Sequence, residues 1–307
     1  MPTPPAPLPP EFSRRPFRAA DAARAGLSPG RLRAADLAAP HRGVRVPGSV
    51  PDDVVARCRA LVPVLPGDAR FCHVTALRLV EVDAPWSLAD DQRLHVEVST
   101  TATRPRIQGV VTHRHAGDAP LIGVRGLRVL DPAVVWTRLG GALGHVELVV
   151  LADALCRRRR PASTPELLGA AVAAMPAGAR GVRRLRAALA DARPGTDSSM
   201  ETRARLALWS AGMAFDVNRP VHDDEGRFVA MPDLSDHRHR VAVEYDGDVH
   251  RTDKRTWRRD IARRQRMEAA GWRVVTLTAD DVLRGRNDWI TWVAAAREAQ
   301  RSSPRGQ

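Results

Sequence analysis

Lysine is almost missing from this chain: Lys254 is the single one among 48 basic residues in a sequence of 307. Arginine in its place, with abundant Ala, Pro and Val, is the signature of a GC-rich genome, so the number of arginines alone does not argue for nucleic acid. Cysteine is scarce as well. Cys58, Cys72 and Cys156 have no paired spacing, which excludes a disulfide framework and predicts three small buried hydrophobes rather than zinc ligands. No apolar run approaches the ~20 residues of a membrane span, so no membrane association is expected. The first ten residues are mostly proline and lack the charged-then-apolar order of a signal peptide. They predict a disordered leader over 1–13 and, by default, a cytoplasmic protein.

What the sequence has is a basic excess with an uneven distribution. Of a net charge of +13, the window Arg14–Arg45 contributes eight basic against two acidic residues, and Arg251–Arg273 nine against three. Two basic patches near opposite ends fit two nucleic-acid contacts better than a uniformly basic surface does.

Phe17–Leu37 predicts two short helices joined by a tight turn. Gly26 takes the left-handed position at the first helix end, while Ser28 and Pro29 open the second. With a hairpin over the following His41–Gly48, this predicts a winged helix-turn-helix over 14–50, with Arg31 and Arg33 as its DNA contacts. Mixed helices and strands follow over 51–192, with helices at Asp52–Val62, Cys72–Val80 and Val146–Leu155 and alternating strands from Leu94 to Leu130. Asp131-Pro132 opens a helix, and the four arginines Arg157–Arg160 read as a solvated helix end. His73, His95, His113, His115 and His145 show no metal-site spacing beyond His113-x-His115 and read as ordinary histidines. Arg193-Pro-Gly-Thr-Asp-Ser-Ser is a linker by composition, so 193–199 is the expected domain boundary.

The stretch Met231–Gly271 carries the chemistry. Val241, Val243 and Tyr245 alternate with Ala242, Glu244 and Asp246, the period of a strand, and Gly247 follows where the chain must turn. Asp233 precedes this strand by a short connection, and an arginine-dense helix follows it. Clustered carboxylates beside a basic helix suggest a metal site facing a polyanion. The element order from Ser198 on is predicted as α-β-β-β-α-β-α, a mixed sheet covered by helices.

These motifs resemble the PD-(D/E)xK nuclease superfamily and, more closely, the very-short-patch-repair-like endonuclease domains. The residues that carry the resemblance are Ser198–Glu201, Pro232-Asp233, Val243–Asp246 with Gly247 and His250, Asp260 with Arg263, and Gly271-Trp272 with Val274. It spans 198–300, leaving 301–307 as a tail. It implies an α+β, restriction-endonuclease-like domain that hydrolyses DNA with Mg²⁺ (or Mn²⁺). Asp233, Glu244, Asp246 and the Tyr245 backbone carbonyl would be the metal ligands, with Glu201 acting directly or through water. His250 would be the general acid or base, and Lys254 and Arg263 would contact the nucleic acid. The superfamily's usual lysine is replaced here by Asp246, so its role falls to His250, Arg263 or Lys254. The front of the chain, through Gly126–Pro132, resembles AbiEi-type antitoxins, which implies DNA binding and a toxin partner. The expected function is therefore a metal-dependent DNA endonuclease with a DNA-binding front end. The alternative is a non-cleaving regulator with a degenerate nuclease-like domain.

Overall fold

The computed structural model describes residues 5–48, 51, 53–100, 104–115, 117–246, 254–283 and 288–302, and of 254–258 the backbone only. The chain is a mixed α+β protein that divides into two compact units, Met1–Gly141 and Ala142–Gln307. Among the described residues no helix is long and apolar enough to cross a membrane.

The first unit opens with α1 (Pro10–Ser13), β1 (Phe17–Arg18), α2 (Ala19–Arg24), β2 (Leu37–Ala38) and β3 (Val44–Pro47), whose strands pair in the order β1-β3-β2. Gly26, at φ 93°, ends α2 in the left-handed region that glycine alone enters freely, and Phe17, Ala22, Leu32 and Leu37 form a small core. The hairpin expected within His41–Gly48 does not form there: Val44–Pro47 is a single strand, and it pairs with Leu37–Ala38 and Phe17–Arg18, which precede His41. Nor does the expected second helix form: Arg31–Arg33 is one 3₁₀ turn, and the chain is already extended at Ala34. Ser28 Oγ accepts from the Arg31 amide at 3.2 Å, as a cap should. The Arg31 guanidinium, however, forks onto Asp36 at 2.9 and 2.8 Å and donates to the Ala6 carbonyl at 2.5 Å, folding the segment back. Arg31 is thus an internal clamp, and only Arg33 of the two expected DNA contacts is exposed.

The unit continues through α3 (Val54–Leu61), β4 (Arg70–Phe71), α4 (His73–Leu79), α5 (Trp86–Ala89), β5 (Leu94–Ser99), β6 (Val110–His115), β7 (Leu121–Val124), β8 (Leu127–Leu130) and α6 (Pro132–Leu139). Asp53 and Asp131 cap α3 and α6 through the amides of Ala56 and Ala133. The five strands are ordered β6-β5-β4-β8-β7, with β5/β6 and β4/β8 parallel. One face of this sheet is polar: buried Glu97 meets Arg70 at 3.3 Å and Arg138 at 3.2 Å.

The second unit holds α7 (His145–Leu155), α8 (Pro165–Ala173), α9 (Val182–Asp191), α10 (Ser199–Ser210), β9 (Asp216–Val217), β10 (Val221–His222), β11 (Phe228–Ala230), β12 (Leu234–Asp236), β13 (Val241–Tyr245), α11 (Lys254–Ala269), β14 (Arg273–Leu277), α12 (Ala279–Leu283) and α13 (Asp288–Ser302). Its main sheet runs β14-β13-β12-β9, parallel only between β13 and β14. Leu208 of α10 and Trp289 and Val293 of α13 pack with Val241, Val243 and Leu277. Met267 of α11 and Trp272 pack with Ala242 and the β10/β11 hairpin. The sheet is therefore covered on both faces, and β13 is buried on both rather than on one.

The expected boundary at 193–199 lies inside this second unit, because α7 and the segment share a buried anchor. Asp153, 1% exposed, accepts from the Arg193 amide at 2.6 Å, the Thr202 hydroxyl at 2.9 Å and Arg205 at 2.9 Å. Thr196, polar by composition, is buried. The helices from α7 to α9 thus belong with the sheet of the second unit, not with the front of the chain.

Candidate functional site

At one end of the second unit's sheet, β12 begins beside the point where β13 finishes, since the two strands run antiparallel with Leu234 opposite Val243. Asp233, the residue before β12, accepts a hydrogen bond from the Tyr245 amide at 2.8 Å. That bond holds Asp233 beside Glu244, which extends from the α11 face of β13, two residues after Ala242. Glu201 reaches the same end from α10. It recurs with Ala204 and Leu208 at spacings of three and four, the stripe that faces the sheet. Ser198 caps the helix by accepting from the Glu201 amide at 3.1 Å, and Glu201 Oε2 accepts from the Asp197 amide at 3.0 Å. The capping role and the site role are thus held by one side chain.

Glu201 and Glu244 are each 5% exposed. Burial, then the neighbouring Asp233 charge, raises Glu201 to about 7. Burial raises Asp233, against the pull of the Tyr245 amide and Arg263. Burial also raises Glu244, with Arg263 opposing and Asp233 adding to the rise. All three carboxylates are therefore held toward their protonated forms, as expected of acids brought together out of water. Arg263 lies 3.2 Å from Glu244 and 3.6 Å from Asp260. Its contact with Glu244 Oε1 is not aligned as a hydrogen bond, so among the described residues that buried oxygen has no hydrogen-bond donor.

Asp246 is exposed; its amide extends the ladder to the Leu277 carbonyl at 2.8 Å. Gly247 and His250 lie outside the described residues, as does the side chain of Lys254. Two contributors escaped the sequence reading. Arg158, from the run read as a solvated helix end, pairs with Asp197 and approaches the Met231 sulfur at 3.4 Å, close enough for its charge to act on Asp233. Asn218, at φ 45°, donates to Glu201 at 3.4 Å and takes the Asp233 carbonyl on its amide at 2.9 Å. A polar residue in the left-handed region between two strands is the only signal that could have marked it.

A different group was missed in the first unit. Cys72, His73 and His113, with His95 beside them, come together across β4, β5 and β6. Burial lowers His73 to about 3 and His113 to about 4, so both rings are neutral near physiological pH.

The fold and the acidic cluster define an α+β protein with a candidate metal-binding sheet end; comparison with known proteins adds kinship but no activity. No family model matches the chain. Two uncharacterized proteins of Mycobacterium tuberculosis, MT2308 of strain CDC 1551 / Oshkosh and Rv2248 of strain ATCC 25618 / H37Rv, are each 28% identical over 237 residues, covering 76% of this chain and 82% of theirs. The crystal structure of the RV2827C protein, also from Mycobacterium tuberculosis, superposes with a TM-score of 0.39 at 15% identity, covering 69% of this chain and 84% of that one.

Proposed function

We propose that the second unit hydrolyses DNA phosphodiester bonds with a Mg²⁺-activated (or Mn²⁺-activated) water, as a cytoplasmic nuclease of repair, mobile-element or defence systems. One observation carries the reading: Glu201, Asp233 and Glu244 are gathered, half-buried or buried, at one sheet end with raised proton affinities. The donor set fits the ion, because Mg²⁺ binds through one or two carboxylates and keeps several waters. Asp233 and Glu244 would hold it, with Asp246 and the Tyr245 carbonyl at the open end of β13 and Glu201 acting through a water. Bound there, the ion supplies an acidified water and a counter-charge for the leaving oxygen. The chain itself orients and neutralises. Asp233 is fixed by the Tyr245 amide, and Glu201 is poised near 7 to accept a proton. Among the described residues the Nε–H groups of Arg263 and Arg264, beside Glu244, have no hydrogen-bond partner, and such donors suit a scissile phosphate. The basic front module, with Arg33 exposed, supplies a further phosphate contact.

Incubation with plasmid, single-stranded and mismatched DNA, with Mg²⁺ or Mn²⁺, should give cleavage that Asp233→Ala and Glu244→Ala abolish. Cleavage that survives both substitutions overturns the proposal. A second reading is favoured by Arg263 itself, whose guanidinium already serves Glu244 as a counter-ion. In that case the domain binds DNA without cutting it, as a regulator or as an antitoxin with a toxin partner. Salt-sensitive DNA binding with no cleavage on any substrate would establish that alternative.

A further inference from the structure

We propose that Cys72, His73 and His113 form a second metal site, in the first unit, for a borderline-soft divalent cation of the zinc class. The thiol sulfur and one ring nitrogen of each histidine lie within 4.8 Å of one another. Among the described residues no other three His, Cys, Asp or Glu side chains meet this closely. Tetrahedral zinc, at about 2.0–2.1 Å from nitrogen and about 2.3 Å from sulfur, keeps its ligands roughly 3.3–3.8 Å apart. His73 and His113, stacked at 3.7 Å between ring centroids, would turn their edges toward the ion.

Three observations point to a ligand rather than to packing. The cluster is fixed by regular structure: the Cys72 amide donates to the His95 carbonyl at 3.0 Å, and His113 sits within β6 opposite Glu97. His73 is held at φ 50°, a strained conformation for a side-chain-bearing residue, and its Nδ1 lies 3.2 Å from the Cys72 sulfur. Finally, Asp91 Oδ2 lies 3.1 Å from His95 Nε2, and His95 Nδ1 lies 3.0 Å from His113 Nε2. Arg93 holds Asp91 in its carboxylate form, so Asp91 accepts from His95 and His95 in turn accepts from His113. That relay places the His113 lone pair on Nδ1. It orients the His113 ring through a second imidazole, one step removed from the outer carboxylate that commonly orients metal-bound imidazoles. One thiolate and two imidazoles suit zinc and not magnesium. Cys72 is buried, and His73 and His113 are half-buried; water would complete the fourth position.

The test uses the full chain purified without a metal-affinity step. Elemental analysis should find about one zinc per chain. Replacing it with Co²⁺ should give the visible bands of a tetrahedral site and a thiolate-to-cobalt charge-transfer band. Cys72→Ser should abolish the charge-transfer band, and His113→Gln should weaken cobalt binding by roughly 10–100-fold. Cys58→Ser and Asp233→Ala should leave the band intact, which separates this site from the carboxylate cluster. If Cys72→Ser does not fold, His113→Gln decides through cobalt affinity. A folded chain that retains no zinc and shows no charge-transfer band with Co²⁺ overturns the proposal, as does a band that persists in Cys72→Ser.

Discussion

The two clusters solve opposite problems with similar means. The acidic one gathers like charges at a sheet end, where burial and mutual repulsion raise proton affinities against the opposing pull of Arg263. The imidazole–thiol one gathers neutral groups that do not repel. Its members stack and hydrogen-bond to one another, and a cation would compete with those contacts. The acidic set, more loosely spaced than one-ion distance among the described residues, suits an ion that keeps water and turns over. The tighter N/S set suits an ion that stays. Donor hardness and spacing, not the number of ligands, divide the two.

Exchanging the damage between them is the sharpest way to break the comparison. Asp233→Ala should lower cleavage by about 10⁴-fold, roughly 5.5 kcal/mol in the barrier, while the cobalt charge-transfer band is unchanged. Cys72→Ser should do the reverse. Nuclease assays and cobalt spectra on the same preparations check both, and a loss of both signals in either variant would mean that the clusters are not independent.

The next effect falls on the frame of the acidic cluster. Asp153→Ala strips the partner from buried Arg205 and frees the Arg193 amide and Thr202. Removing one member of a buried pair costs about 3–5 kcal/mol. Urea unfolding followed by tryptophan fluorescence should show the loss, with Asp197→Ala, at a half-exposed position, as a mild control.

Asp153 also shows where the sequence stops being legible. Helices α3, α6, α10 and α11 and strands β5, β13 and β14 were readable, because periodicity and caps such as Asp131-Pro132 are local signals. Asp233 and Glu244 were readable as neighbours because a short connection joins their strands. Asp153 sits in an apolar helix and reveals nothing of its partners some forty to fifty residues downstream. A polar segment whose backbone it holds therefore read as a linker. His73 and His113 lie forty residues apart, and the order β6-β5-β4 that joins them is not written in any local pattern. Arg31 looked free because its partner Asp36 offered no helical spacing.

Proton linkage gives a smaller effect. Glu201 is held at about 7, so an ion entering below that pH must displace its proton. Apparent Mg²⁺ affinity should rise about tenfold per pH unit up to about 7 and level off above it. The zinc site, with neutral imidazoles, should owe its pH dependence to Cys72 alone. Metal titrations of cleavage from pH 5.5 to 8.5 check this, and a flat profile below 7 would remove Glu201 from the ion's surroundings.

The smallest effect separates the two roles of Glu201. An acid whose folded-state pKa is raised from 4.5 to about 7 binds more protons folded than unfolded between those values, so stability falls as pH rises through that window. Glutamine keeps an oxygen for the Asp197 amide but carries no charge. Glu201→Gln should therefore match the native chain near pH 4 and exceed it in stability at pH 8, while cleavage drops. Ser198→Ala, which removes only the cap, should lower stability by about 1 kcal/mol at every pH and leave the chemistry in place. Thermal melts at both pH values, set beside cleavage rates, distinguish the cases. If Glu201→Gln left both the stability at pH 4 and pH 8 and the cleavage rate unchanged, Glu201 would be a cap and nothing more, and the acidic cluster would shrink to the Asp233–Glu244 pair.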